Sequence, residues 1–229
     1  MTARGARPAW SLIVDAVPRD PESGMALDRV LAASVGSGAR GPLLRVWQPD
    51  RAVLMSGLGA GEAERSGISV LERPTPGDTW LAPGPAVILW SVITPVGLLD
   101  SGALGGPMEA AAEWPLATLR QLGLQASLDS SGHVRTPMGV VGACARTVLD
   151  TVDIAQGVID YSVSANVLAD LGVGVTENVR SQSGLPLPLV IDRFGRMART
   201  LYSARPDAVT EEELATGRAL VGHADDEAG

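Results

Sequence analysis

The sequence predicts an α+β domain built on a mixed central sheet flanked by helices, and three observations carry that expectation. "AVILWSVITP" (86–95) is an uninterrupted apolar run of strand length, as a strand buried on both faces requires. Short β-rich segments punctuated by Pro and Gly occupy the middle of the chain. Helical periodicity is confined to segments on either side of them.

"WSLIVDAV" (10–17) reads as a strand closed by Pro18. "ESGMALDRVLAASVGSG" (22–38) places Met25, Leu27, Val30, Leu31 and Val35 near helical spacing and ends in glycines. "LLRVW" (43–47) and "AVLMSG" (52–57) are short strands around a Pro-Asp turn, "ISVLERP" (68–74) is another, and "TPGD" (75–78) turns the chain into "TWLAP". After the central run, a Gly-rich connection (97–106) leads to the helix "MEAAAEWPLATLRQLGL", where Pro115 should kink or divide it. "RTPMGVVGACAR" (135–146) reads as one glycine-punctuated apolar strand, followed by "TVLDTVDIAQGVIDYSV" as one or two more. "SANVLADLG" is a short helix stopped by Gly172. "PLVIDRFGRMARTLYS" has a helical pattern weakened by Gly195, and "VTEEELATGRALVG" (209–222) opens with Thr210 and Glu213 at capping-box spacing. The expected organisation is a flexible N-terminus (1–9), a single domain (10–222) and a disordered tail (223–229).

The chain has 229 residues and a net charge of −8. An acidic surface without basic clusters argues against nucleic-acid binding, which needs Lys and Arg on phosphates. No signal peptide is evident, and no apolar run approaches the roughly 20 residues of a membrane span. A cytoplasmic protein is therefore expected. One cysteine excludes an intrachain disulfide, and two histidines make a multi-histidine metal site unexpected. All 18 basic residues are arginine, so no lysine can serve as general base, Schiff base or fixed cation.

The order of motifs resembles the lipoate–protein ligases and octanoyltransferases, relatives of the biotin ligases. The likeness runs from about residue 10 to 190, through "MALDRVL" and "LLRVWQPDRAVLMSG". "ERPTPGDTWLAPG" is similar to the family's Arg-Pro-Thr-Gly-Gly-Gly-Ala-Val loop with its following histidine, and "GVVGACAR" to its Lys-Ile-Ala-Gly-Ser-Ala-Gln strand. "QGVIDYSV" resembles a His-Gly-Ser-Ile-Leu segment, and "NVRSQSGL" a Val-Arg-Ser-Arg-Val-Thr-Asn-Leu segment. The resemblance implies a biotin/lipoate-ligase-like domain, an acyl or lipoyl-type small ligand, and a lipoyl carrier domain or partner subunit as possible protein partner. It leaves any cofactor unknown.

The departures from the pattern gather at the site. Aligned on Gly142, the family's lysine falls at Gly139, which has no charge to stabilise a developing anion. Glu72 stands where arginine is common, Pro76 and Asp78 interrupt the glycines, Ala82 replaces the histidine, and Val158 and Asp160 alter the adenosine-side segment. Asp78 would repel a phosphate. The resemblance implies ligand-binding positions at Arg73, Thr75, Gly77, Gly139, Gly142 and Gly157. Arg73 is a candidate for a ligand carboxylate or phosphate, or else for a structural ion pair.

Cys144 is the candidate nucleophile, since some members of the family pass the acyl group through a cysteine thioester. Strand alternation from Gly139 would turn Cys144 and Arg146 to opposite faces from their expected use, unless a bulge intervenes. Its neighbours Gly142, Ala143 and Ala145 offer no base. Three readings follow: a diverged acyl-binding or partner protein, a cysteine-dependent acyltransferase, and a ligase using arginine in place of lysine. "AVILW", "VVGA" and Trp80 are expected to line the cleft.

Overall fold

The computed structural model describes residues 8–15, 17–58, 68–99, 106–163 and 177–227, with side chains to Val221. Residues 1–7 of the flexible segment expected at 1–9, the helix expected at 164–172 and most of the connection 97–106 lie outside these residues.

Eight strands form one sheet: β1 (Ser11–Val14), β2 (Leu43–Trp47), β6 (Val87–Pro95), β7 (Ser127–Leu128), β8 (His133–Thr136), β9 (Gly139–Leu149), β10 (Val152–Asp160) and β11 (Arg205–Asp207). Their order is β11-β1-β2-β6-β10-β9-β8-β7. β1 runs parallel to both neighbours and the remaining pairs are antiparallel, so the sheet is mixed. β6 takes up the apolar run from Val87 on, and it is buried on both faces as far as Thr94, as that run requires. A second sheet, β4-β3-β5, is built from β3 (Ala52–Gly57), β4 (Val70–Arg73) and β5 (Trp80–Pro83).

Alternation along β6 divides the core in two. Ile88, Trp90 and Val92 point to the face covered by α2 (Pro107–Gln121) and α4 (Leu187–Tyr202). Of the two outcomes expected at Pro115, a kink or a division, the division does not occur: α2 is one helix through it. The helix is held there by Trp114, whose Nε1 donates to Phe194 O at 2.9 Å while its ring meets Phe194 edge-on at 5.3 Å. The α4 pattern likewise survives Gly195, which is buried. A short helix, α3 (Val179–Ser183), precedes α4.

Val87, Leu89 and Ile93 point to the other face, which is covered by α1 (Pro21–Gly36) and by the small sheet. α1 starts at Asp20, whose carboxylate accepts from Ser23 N at 3.0 Å. α5 (Glu211–Glu227) lies on α1 and begins with the anticipated capping box: Glu213 N donates to Thr210 Oγ1 at 3.2 Å and Thr210 N to Glu213 Oε2 at 2.8 Å. Its backbone is helical to Glu227. No described helix is long and apolar enough to cross a membrane.

"RTPMGVVGACAR" is two strands. β8 ends at Thr136, Pro137 and Met138 form the turn, and β9 starts at Gly139 with φ +144°. Pro137 has no N–H to give a ladder, so it breaks the strand there. The next turn, after Leu149, uses Asp150 at φ 52° and returns the chain as β10.

Candidate functional site

The small sheet delivers a loop to the edge of the large one. Parallel pairing of β4 with β3 sets Arg73 beside Gly57. A side chain on Gly57 would place its Cβ 2.2 Å from Gly77 O, so glycine is needed for the 75–78 loop to rest there. Gly77 itself has φ +102°.

Arg73 is fully buried and organises this loop. Its Nη1 donates to Thr75 O (2.8 Å), Thr75 Oγ1 (2.6 Å) and Pro76 O (2.7 Å), and Nη2 donates to Asp78 O at 2.6 Å. The guanidinium stacks 3.6 Å from the Trp80 ring centre. None of its hydrogen-bond partners is a carboxylate, so the expected choice between ligand binding and an ion pair leaves out the role the geometry displays. Burial pulls its pKa down to about 10, with the Asp78 carboxylate acting in the opposite direction. It is still a cation at neutral pH, but a committed one.

Thr75 passes the connection inward, donating to Gln156 Oε1 at 3.2 Å. Gln156 Nε2 donates to Asp28 Oδ2 at 2.7 Å, and Ser91 Oγ donates to the same oxygen. Arg45 Nη1 donates to Asp28 Oδ1 at 2.6 Å and to Gly24 O at 2.7 Å, while its Nε and Nη2 reach Asp15 Oδ2. A hydrogen-bonded chain therefore runs from Asp15, just after β1, through Arg45 on β2, Asp28 on α1 and Gln156 on β10 to the loop. Gln156 occupies the position where the resemblance has histidine.

The opposite wall is β9, which is bulged. Arg135 pairs with Val140 but Val134 pairs with Gly142, leaving Val141 as the extra residue. Directly paired residues share a face, so Gly139, Gly142, Cys144 and Arg146 project to one side. The alternation expected from a regular strand is thereby reversed. β8 pairs no further along β9 than Ala143, and beyond that point the strand borders a cavity of about 400 Å³.

Arg73, Gly77, Asp78 and Trp80 line this cavity on one side, and Ala143, Cys144, Ala145 and Arg146 on the other. Met108, Glu109 and the Leu128–His133 hairpin complete it. Arg146 is held in an ion pair with the fully buried Asp153. Asp129 accepts from Arg135 Nε at 2.5 Å and lies 3.4 Å from His133 Nδ1. Cys144 is buried, with Sγ 3.8 Å from Met108 Sδ. Burial, and then the charges of Asp129 and Glu109, push its thiol up to about 12, while Arg73 acts weakly the other way. It is a thiol, not a thiolate, at neutral pH.

Arg73, Thr75, Gly77 and Cys144 thus come together, Thr75 from behind the wall. Gly139, Gly142 and Gly157 do not line the cavity. Gly139 sits at the hairpin turn, where an added Cβ would be 3.3 Å from Glu177 Cγ. Gly142 lies against the β10 backbone, and Gly157 is covered by the Trp90 ring, 2.3 Å from an added Cβ. Both are glycines for packing reasons. Of the expected cleft lining, Trp80 and Ala143 are present, whereas Ile88, Leu89 and Trp90 are core. Among the described residues no group of three or more His, Cys, Asp and Glu could hold a metal.

No family model matches the chain, and no curated protein matches it. Solved structures do. A bipartite lipoate protein ligase from Thermoplasma acidophilum, described together with its E2 lipoyl domain as an archaeal lipoylation system, superposes with a TM-score of 0.76 at 16% identity, over 93% of this chain and 92% of that one. The chain has the lipoate–protein ligase fold. A lipoate-protein ligase A bound with ATP gives a TM-score of 0.76 at 17% identity over 95% of each chain. P. falciparum LipL1 in complex with lipoate gives 0.72 at 11%, over 92% of this chain and 70% of that one. The expected biotin/lipoate-ligase-like architecture, a mixed sheet flanked by helices, is the architecture found.

Sequence reasoning missed Asp28, Arg45, Ser91, Gln156, Glu109 and Asp129. For two of them a signal was present. Arg45 interrupts a five-residue apolar strand, and Asp28 lies among Met25, Leu27 and Leu31 on the buried side of α1. A charge in such a place requires a buried partner.

Proposed function

We propose that this chain is a diverged ligase-fold protein of the cytoplasm that binds an acyl or lipoyl-type small ligand in the β9 cavity. In this reading it serves as a binding or partner subunit and does not itself activate the acid with ATP. One observation carries the reading: both terminal nitrogens of Arg73 are bonded to loop carbonyls and Arg146 is paired with Asp153, while Asp78, Glu109 and Asp129 line the same space. An acyl-adenylate needs a fixed cation beside its phosphate, and one such group is typically worth about 10²- to 10³-fold in rate. Among the structures it resembles, one holds lipoate, which supports the ligand class, and a ligase described as bipartite supports a role beside a second subunit.

A second reading is favoured by the placement of Cys144 on the cavity wall. In that reading the chain is a cysteine-dependent transferase that moves an octanoyl or lipoyl group to a carrier-domain lysine. The raised thiol pKa weighs against it. A ligase that uses Arg73 for lysine is the third reading, and it would have to release the loop to free the guanidinium.

Pyrophosphate exchange with ATP, measured with octanoate and with lipoate, tests the proposal. The expected acid-dependent exchange is at least ~10²-fold below that of a lysine-bearing ligase measured alongside. Exchange at the level of that ligase, abolished by Arg73→Ala, would replace the proposal with the third reading.

A further inference from the structure

A partner subunit needs a surface to dock on, and the β11–β1 edge of the large sheet, the edge away from β9, has the features of one; this rests on the partner role proposed above. A second cavity, of about 600 Å³, lies there, with apolar walls from Trp10, Leu98, Leu99, Ala110 and Leu201. The Trp10 and Tyr202 rings stack with centres 4.4 Å apart and hold each other in place. Tyr202 Oη is buried and has no hydrogen-bond partner among the described residues. Burial, and then the Glu113 charge, raise its pKa, so it is a donor that lacks an acceptor. Charge on this edge runs against the rest of the chain. From Leu187 to Arg205 four arginines stand against one carboxylate, Asp192, while the whole chain has a net charge of −8. Asp192 pairs with Arg196, whereas Arg193, Arg199 and Arg205 have no carboxylate partner among the described residues. Arg205 lines the cavity, as does Ser203, one turn after Arg199, so the basic track of α4 runs into the apolar space.

We infer that this edge docks an acidic segment of a partner protein, which seats one large apolar side chain in the cavity and sets its carboxylates on Arg199 and Arg205. An apolar anchor in a preformed pocket supplies most of the affinity of such a contact, and guanidinium forks pair with carboxylates in fixed geometry. The Tyr202 hydroxyl finds its acceptor in a backbone carbonyl of the segment. Glu113 is the one acidic residue that lines the cavity, and it directs the segment's carboxylates to the β11 side. A nucleic acid or an anionic membrane offers negative charge too, but over a surface wide enough to meet the acidic remainder of the chain, which it would repel. A peptide segment meets only the basic track. With the partner held at this edge, the β9 cavity stays open to its own ligand.

Selection of a displayed library of random linear peptides on the full chain supplies the probe. The enriched sequences are expected to carry several Asp or Glu beside a Trp, Phe or Leu. A synthetic peptide of the leading sequence, titrated by fluorescence anisotropy, should bind at least ~10-fold more weakly to Arg205→Glu and severalfold more weakly to Arg199→Glu. Arg218→Glu, which reverses an exposed charge on α5, should leave its affinity unchanged. Replacing the peptide's anchor by Ala, or its carboxylates by amides, should abolish binding to the unaltered chain, and these changes put no strain on the protein. Enriched peptides without acidic residues, an affinity indifferent to Arg199 and Arg205, or no enrichment at all would overturn the assignment. Peptide binding at this edge and small-ligand binding in the β9 cavity are read separately on the same protein, so failure of one is told apart from failure of the other.

Discussion

Asp28→Ala is expected to destabilise the fold by about 3–5 kcal/mol, the usual cost of removing one partner from a buried ion pair. Asp28 is almost completely buried, and its two oxygens accept from Arg45, Ser91 and Gln156. The substitution leaves Arg45, also fully buried, with Asp15 as its remaining carboxylate, and strips Ser91 and Gln156 of an acceptor. Set against the roughly 5–15 kcal/mol that holds a typical domain together, this is a large fraction. Replacing both charges, in Asp28→Leu with Arg45→Met, should recover part of the loss, because the uncompensated charge goes with its partner. Urea unfolding followed by circular dichroism measures both. A loss below about 1 kcal/mol for Asp28→Ala would mean that the network is solvated and does not brace the Arg73 loop.

Cys144 should resist alkylation to a comparable degree. Held up at about 12 against an ordinary 9, it presents roughly a thousandth of the thiolate of an exposed cysteine at neutral pH, and burial lowers access further. The rate with iodoacetamide should therefore be about 10³-fold below that of the urea-unfolded chain and should still be climbing at pH 10. Glu109→Gln should raise the rate, since that carboxylate is one of the groups that hold the proton on. A native rate equal to the unfolded one, or an octanoyl thioester formed on Cys144 from an octanoylated carrier, would restore the transferase reading.

The order of strands and helices was legible because it depends on local signals: the apolar run of β6, the glycines after α1, and the Thr210–Glu213 cap. The site was less legible, for two physical reasons. Its hydrogen bonds join residues far apart in the chain, as Asp28 with Gln156 and Thr75 with Gln156, so no local pattern announces them. The second reason lies in β9. "GVVGACA" has no polar alternation that could disclose an extra residue at Val141, yet that residue decides which face Cys144 takes. Pro137 was the one cue to the hairpin. Reading Arg73 as a ligand group or an ion pair overlooked a third way to satisfy a guanidinium, the carbonyls of its own loop.

A crystal structure of the chain grown with lipoamide tests most directly whether the β9 cavity is the ligand site. The dithiolane and acyl chain are expected against Trp80, Met108 and Ala143, with the Arg73 guanidinium still bonded to Thr75, Pro76 and Asp78. Ligand bound elsewhere with the cavity closed by side chains, or Arg73 turned from its loop onto the ligand, would contradict it.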